Sequence, residues 1–452
     1  MQSLTKSLQN SRTPVLSTDE RVRMLQRKLY LKAKQDKTFK FYVLYDKVRL
    51  DYFLLEAYYR VSANGGAPGV DGVTFEQIEK TSIADFLKNI KDDLDNKTYK
   101  AQAVRRVYIP KANGKQRPLG IPTIRDRVVQ MSVKMVIEPI FEADFTDSSF
   151  GFRPKRSAKQ AMGKIKEYLK EKRTQVFDAD LEAYFDTIPH DKLMVAVKQR
   201  ISDTNVLALI EQWLKSPIKD KGRMTGGKNN QHGTPQGGVV SPLLSNIYLN
   251  LLDKIIENPN SEFARAGVRI VRYADDFILM SGHVPDSRND RLENILTRMG
   301  LRLNKEKSSR KNLWKESMDF LGFTIRYART PYKGSVNKFW NILPSNKSEK
   351  KIRQSIKETL RAGLHLKPAV YVARLNTKLK GWINYFRIEG VTQMYTSVSR
   401  IAGYLGQTIY RMFRRKSQNG KNKHYRQYAY KKFIQEHGLI DLYQCIYRKQ
   451  VL

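Results

Sequence analysis

The sequence predicts an α+β fold, with strands and helices mixed up to about residue 344 and helices alone beyond it. Three observations carry this. Two apolar runs flank Ala274-Asp275-Asp276 between Val271 and Met280 and read as paired strands with a tight tip. Apolar and basic residues alternate from Ala103 to Pro122 on both sides of Ala112-Asn113-Gly114, which reads as a second hairpin. After Pro344 the apolar spacing turns helical and the chain becomes more basic.

Totals limit what the chain does. At 452 residues it is long enough for two or three domains. Its 83 Lys and Arg against 44 Asp and Glu give a net charge of +39. A charge that large calls for a polyanionic partner, and nucleic acid is the usual one at a pI near 10.0. No apolar run of membrane-spanning length occurs, and the first residues carry no secretory block. A single cysteine, Cys445, excludes a disulfide framework and points to a reducing compartment.

In chain order, residues 1–16 are polar and aperiodic and read as a disordered lead-in. Ser17-Thr18-Asp19-Glu20 reads as a helix cap, followed by Val22, Leu25, Leu29 and Leu31 on a basic amphipathic helix. A second helix spans about 45–62 and ends at the glycine-rich loop Gly65-Gly66-Ala67-Pro68-Gly69. Lys111 and Arg117 sit toward the tip of the 103–122 hairpin, where two cations can grip a polyphosphate or simply be solvated. Residues 124–142 read as a helix with Val129, Val133, Val136 and Ile140 on one face, and a helix over about 156–173 follows the break at Phe150-Gly151-Phe152-Arg153-Pro154.

The chemistry lies in the acids. Val176-Phe177-Asp178-Ala179-Asp180 is an apolar strand whose two aspartates share a face by period two. Asp275 and Asp276 cannot both point into a core, and taken alone they suit a solvated turn. Two acidic strands in one basic chain instead invite a shared hard cation, for which magnesium and oxygen ligands are the natural pair. Two such ions on three carboxylates would activate a 3′-hydroxyl and stabilise a leaving pyrophosphate. Thr234-Pro235-Gln236-Gly237-Gly238 adds a glycine turn that a ligand can approach closely, running into a helix.

The order of these motifs resembles that of the reverse transcriptases encoded by bacterial and organellar group II introns, the maturase-like proteins, over roughly residues 40–452. Tyr273-Ala274-Asp275-Asp276 is similar to the family's catalytic hairpin, Asp180 to Phe185 to its first acidic strand, and Thr234 to Gly238 to its nucleotide-side turn. Val107 to Pro122, Phe150 to Pro154, Leu301 to Ser308 and Phe320 to Phe323 match four further blocks in family order. The resemblance implies a right-hand polymerase, fingers and palm followed by an α-helical thumb or X domain. It implies two magnesium ions on Asp180, Asp275 and Asp276, the last less directly, with Asp178 and Glu182 as weaker ligands. Lys111 and Arg117 would contact the incoming deoxynucleoside triphosphate, and Phe185 would sit under the sugar and clash with a 2′-hydroxyl. Gln236 and Gly237 would line the nucleotide and template. Lys307 is the implied general acid for pyrophosphate, a role that Lys305 or plain solvation of a strand edge leaves open.

The division expected is a basic helical extension over 1–38, fingers and palm over 39–344, thumb over 345–410 and a basic nucleic-acid-binding segment over 411–452. Residues 345–452 hold 23 Lys and Arg against 5 Asp and Glu. Trp382, Ile383, Tyr385 and Phe386 read as thumb core rather than base-stacking groups. Arg411 to Lys416 and Lys421 to Lys432, interleaved with Tyr425, Tyr428 and Tyr430, suit a nucleic-acid backbone. The family's zinc-bound endonuclease needs paired cysteines, so the expectation is a protein that extends a pre-existing 3′ end.

The expected activity is RNA-directed DNA polymerisation with splicing assistance and retrohoming, in a bacterial, nucleoid-associated cytoplasmic setting. The expected partners are group II intron RNA, an RNA template with a DNA primer, and target DNA, with no membrane; self-association into a homodimer is left open. A free-standing reverse transcriptase serving host defence or repair, or a maturase with secondary polymerase activity, is the alternative.

Overall fold

In the computed structural model the described residues are 17–110, 114, 116–283, 288–329, 337–363, 365–416 and 429–447. The polar lead-in 1–16, Lys111 and the basic run 417–428 lie outside them. Eleven strands among these residues form three sheets: β1 (Val104–Pro110), β2 (Gln116–Ile121), β3 (Gln175–Ala179), β4 (Pro217–Asp220), β5 (Arg223–Gly226), β6 (Arg269–Tyr273), β7 (Asp276–Ser281), β8 (Ser309–Asn312), β9 (Met318–Phe320), β10 (Phe323–Arg329) and β11 (Lys338–Pro344). The sheet orders are β2-β1-β4-β5, β6-β7-β3-β8 and β11-β10-β9.

Both expected hairpins form. β1 and β2 pair antiparallel with Ile109 opposite Arg117, and β6 and β7 pair with Tyr273 opposite Asp276. The β6-β7-β3-β8 sheet is the wall between two hydrophobic cores, and the alternation of side chains explains it. Ile270, Phe277 and Leu279 face one core, built around the long helix Ile124–Glu142. Val271, Ile278, Met280 and Val176 face the other, shared with the C-terminal helices.

The helix Thr18–Gln35 starts with the expected capping box of Ser17 and Glu20. Its apolar stripe differs from the expected one. Leu31 is 45% exposed, and Val22, Leu29 and Ala33 are the buried positions. The helix expected over 45–62 is two helices, Tyr45–Val48 and Asp51–Ala63. The buried Asp203 carboxylate accepts from the Leu44 and Tyr45 amides and caps the start of the short first piece, a tertiary contact that local spacing does not carry. Helix Ile124–Glu142 is as expected, with Val129, Val133, Val136 and Ile140 fully buried.

Beyond β11 come helices Asn346–Ala362, Pro368–Phe386 and Tyr395–Lys416, followed by Ala429–His437 and Leu442–Tyr447, helical throughout as expected. Helix Tyr395–Lys416 runs through the boundary drawn at 410. Trp382, Ile383 and Phe386 are core, as read, whereas Tyr385 is 42% exposed. It stacks on Phe323 at 5.7 Å and donates to the Leu321 carbonyl, tying the helix to the β9–β10 turn.

Candidate active site

β3 and β7 are the central strands of the wall, and Ala179 pairs with Phe277. The next residues outward, Asp180 and Asp276, therefore face each other across the strand ends. By the same alternation Asp178, Asp180 and Asp276 lie on the side of the second core, beneath the C-terminal helices. Asp275 occupies the tip, after Ala274, whose φ of 59° is unusual for a residue with a side chain.

The acids crowd one another. Desolvation first, then the charges of Asp275, Asp180 and Asp178, push the Asp276 carboxyl up to about 6. Asp275 is also raised, by desolvation and by Asp180 against the pull of Arg117, and Asp178 is raised by desolvation despite Lys311 at 3.7 Å. A cluster of oxygen donors that resists ionisation is a place where a hard cation is favoured. Among the described residues no three acidic or imidazole groups already converge as a ligand set. What stands on Asp180 is another cation, the Lys307 ammonium at 3.2 and 3.3 Å from its two carboxylate oxygens. Lys307 gets there because the segment after Leu301 runs beside β3: Asp180 accepts from the Asn304 amide at 2.8 Å and its own amide donates to Ser308 Oγ.

The β1–β2 hairpin and the glycine turn meet on one side of the acids. Gly120 N–H donates to the Gln236 carbonyl. Gly237 has φ of 112°, and a Cβ there would collide with the Gly120 carbonyl and approach Leu119 to 3.1 Å, so glycine is required for the two segments to touch. Arg117 Nε donates to Gln236 Oε1 at 3.0 Å, and Gln236 Nε2 donates to Asp186 at 3.1 Å. Phe185 is partly buried one residue earlier, edge-on to Tyr184 at 5.5 Å. Arg117 and Gln236 are thus hydrogen-bonded neighbours, and the Thr234 amide donates to the Phe185 carbonyl at 2.7 Å, while Glu182 is exposed and Lys111 falls outside the described residues.

Sequence reading missed what lies behind the tip. Arg272 is fully buried, and so is its partner Asp253 on helix Ser241–Glu257. Its guanidinium gives Nε to both Asp253 oxygens at 2.9 and 3.0 Å, and a terminal nitrogen to Asp253 at 2.5 Å. The other terminal nitrogen reaches Asn246 Oδ1 at 2.8 Å and the Ala274 carbonyl at 2.9 Å. A signal was present: a lone arginine on the inward face of an apolar strand and a lone aspartate after Leu251-Leu252 each need a buried partner. Asp186 carried no comparable signal.

An antiparallel sheet presenting aspartates at two adjacent strand ends, beneath a helical domain and beside a basic hairpin, defines a nucleic-acid polymerase palm. Residues 109–325 match the family described as reverse transcriptase (RNA-dependent DNA polymerase), and residues 349–429 match the group II intron, maturase-specific domain. Protein YkfC of Escherichia coli (strain K12) is 35% identical over 344 residues, covering 68% of this chain and 89% of that protein. Group II intron-encoded protein LtrA of Lactococcus lactis subsp. cremoris is 37% identical over 212 residues, covering 46% of this chain and 34% of LtrA. A solved Cas6-RT-Cas1--Cas2 complex aligns over 56% of this chain and 41% of its own at 22% identity and a TM-score of 0.36, too loose to argue from. The chain belongs to the group II intron-encoded reverse transcriptase and maturase family, as the motif order implied. No helix among the described residues is long and apolar enough to cross a membrane.

Proposed function

We propose that this chain copies group II intron RNA into DNA at the ends of β3 and β7 and holds that RNA, during splicing and retrohoming, through its basic residues beyond 344. The observation that carries the reading is the register that sets Asp180 against Asp276 with Asp275 beside them at the turn. Asp180, Asp275 and Asp276 would hold two magnesium ions, whose chemistry is to activate the primer 3′-hydroxyl and stabilise the departing pyrophosphate. The protein's own groups do the rest. Arg117 and Lys111 take the triphosphate, Gln236 and Gly237 position the base and template, and Phe185 sits against the sugar and rejects a 2′-hydroxyl. Lys307, already within hydrogen-bond reach of Asp180, would turn its proton toward the leaving pyrophosphate. Residues 39–344 form fingers and palm, and 345–410 the thumb, in this reading. RNA template with DNA primer, and then target DNA, are the substrates, in a nucleoid-associated cytoplasmic setting.

Primer extension tests this directly. Replacing Asp275 and Asp276 by Ala abolishes magnesium-dependent extension and leaves binding to structured RNA intact; retained extension overturns the ligand assignment. RNA binding should fall steeply with salt through release of counterions from many phosphate contacts. Sequencing the RNA that copurifies with the protein names the intron.

A further inference from the structure

The tip that carries Asp275 is held from behind and from in front. Behind it, the Arg272 guanidinium reaches past its ion pair with Asp253 to the Ala274 carbonyl at 2.9 Å. That carbonyl belongs to the same rigid peptide plane as the Asp275 amide, so fixing the oxygen fixes the direction in which Asp275 leaves the turn. The Asn246 amide locks the same nitrogen: its Oδ1 accepts from Arg272, and its Nδ2 donates to the Gly151 carbonyl at 2.8 Å. In front, residues 148–151 lie along β6. Arg272 N–H donates to the Ser148 carbonyl and Phe150 N–H donates to the Arg272 carbonyl, each at 2.9 Å. Gly151 then presses on the tip itself. A Cβ at 151 would overlap the Ala274 amide nitrogen and lie 2.8 Å from the Tyr273 carbonyl carbon.

The turn needs such a clamp. Ala274 holds a left-handed conformation that costs an ordinary residue about 1–2 kcal/mol, and the carboxylates next to it repel one another. A simple structural ion pair would end at Asp253. Here one guanidinium nitrogen is shared between Asn246 and the turn, and both partners of Arg272 are as buried as it is. From this geometry we propose that Arg272, backed by Asp253 and Asn246 and opposed by Gly151, is a positioning residue that sets Asp275 for metal and nucleotide. The proposal rests on the reading of Asp275 as a metal ligand.

Two perturbations reach the turn by different routes. The double replacement Arg272→Met with Asp253→Leu removes both buried charges together, an exchange that folds tolerate well, while deleting the hydrogen bond to Ala274. Gly151→Ala pushes the tip from the front and leaves the ion pair in place. Both are measured in the full chain by primer extension against magnesium and nucleotide concentration, with thermal melting in parallel. Each variant is expected to lose roughly 100-fold in kcat, the scale of an ångström's misplacement, with KM for nucleotide little changed and the magnesium half-saturation raised several-fold. Manganese should restore part of the rate. Arg272→Lys, which keeps the charge but not the fork, should fall between.

A purely structural role would lower the folded fraction and scale every rate equally, leaving the magnesium half-saturation where it was. That result in a folded variant overturns the proposal. If the double variant does not fold, Gly151→Ala decides alone, and an unshifted magnesium dependence there is equally fatal. Failure of the metal reading shows elsewhere, as extension surviving in Asp275→Ala.

Discussion

The two faces of one palm hairpin use charge in opposite ways. On the face toward helix Ile124–Glu142, Arg272 and Asp253 are fully buried and paired with each other, and Arg272 also donates to Asn246. On the face toward the C-terminal helices, Asp178, Asp180 and Asp276 stand close with cations outnumbered, and Asp276 rises to about 6. The buried side is closed: each guanidinium nitrogen of Arg272 has an acceptor. The open side is left short of positive charge, and Lys307 on Asp180 only partly covers the deficit. Satisfied charge supplies rigidity, and unsatisfied charge supplies affinity for what is to be bound.

The comparison breaks most visibly on the open face. Asp275→Asn with Asp276→Asn should cut primer extension by roughly 10⁴-fold or more while the metal-free protein melts no lower than wild type, since repulsion is relieved. On the closed face the response inverts: Asp253→Ala strands the Arg272 charge and should lower unfolding free energy by about 3–5 kcal/mol, seen as a shifted denaturation midpoint. Phe185→Val tests the cleft floor, where discrimination against ribonucleotides should weaken by about 100-fold in competing-substrate assays.

Acidity separates the faces next. Asp276 has a folded carboxyl pKa above its usual value, so without metal the folded state holds that proton more tightly than the unfolded chain does. Its contribution to stability is present at low pH and lost as pH rises through about 6. Melting curves of wild type against Asp276→Asn from pH 4 to 8 should therefore converge at the acid end after subtracting a constant offset. Ligation needs the ionised form, so extension at limiting magnesium should climb about tenfold per pH unit up to about 6 and then level, with the limb moving to lower pH as magnesium is raised. The smallest effect concerns Asp186, whose loss frees the Gln236 amide. Asp186→Ala should raise KM for nucleotide about fivefold, the scale of one hydrogen bond, with kcat nearly unchanged.

Much of this was legible in the residues. Both hairpins, the helix over 124–142 and the helices beyond residue 344 follow from period and turn chemistry, which are local. The acids were legible because carboxylates in apolar strands are costly unless used. What escaped was tertiary. The short helix Tyr45–Val48 is capped at its start by Asp203, more than 150 residues away, and Leu31 gave way to Ala33 because a helix's burial stripe is set by the surface it meets. Arg272 and Asp253 each announced a partner without saying which. Asp186 reads as an exposed acid at a helix start, and only the glycine turn folded over it gives it a neighbour.

The alternation of β6 and β7 makes this hairpin sensitive to parity. Sliding β7 by one residue against β3 would turn Phe277 toward the C-terminal helices and drive Asp276 into the core that now receives Phe277 and Leu279. Substitutions along these strands change one side chain at a time, but a single inserted or deleted residue exchanges the two faces at once. The spacing from Arg272 through Asp275 to Ile278 is thus set by the geometry of the sheet itself, whereas the identity of each apolar residue along it is not.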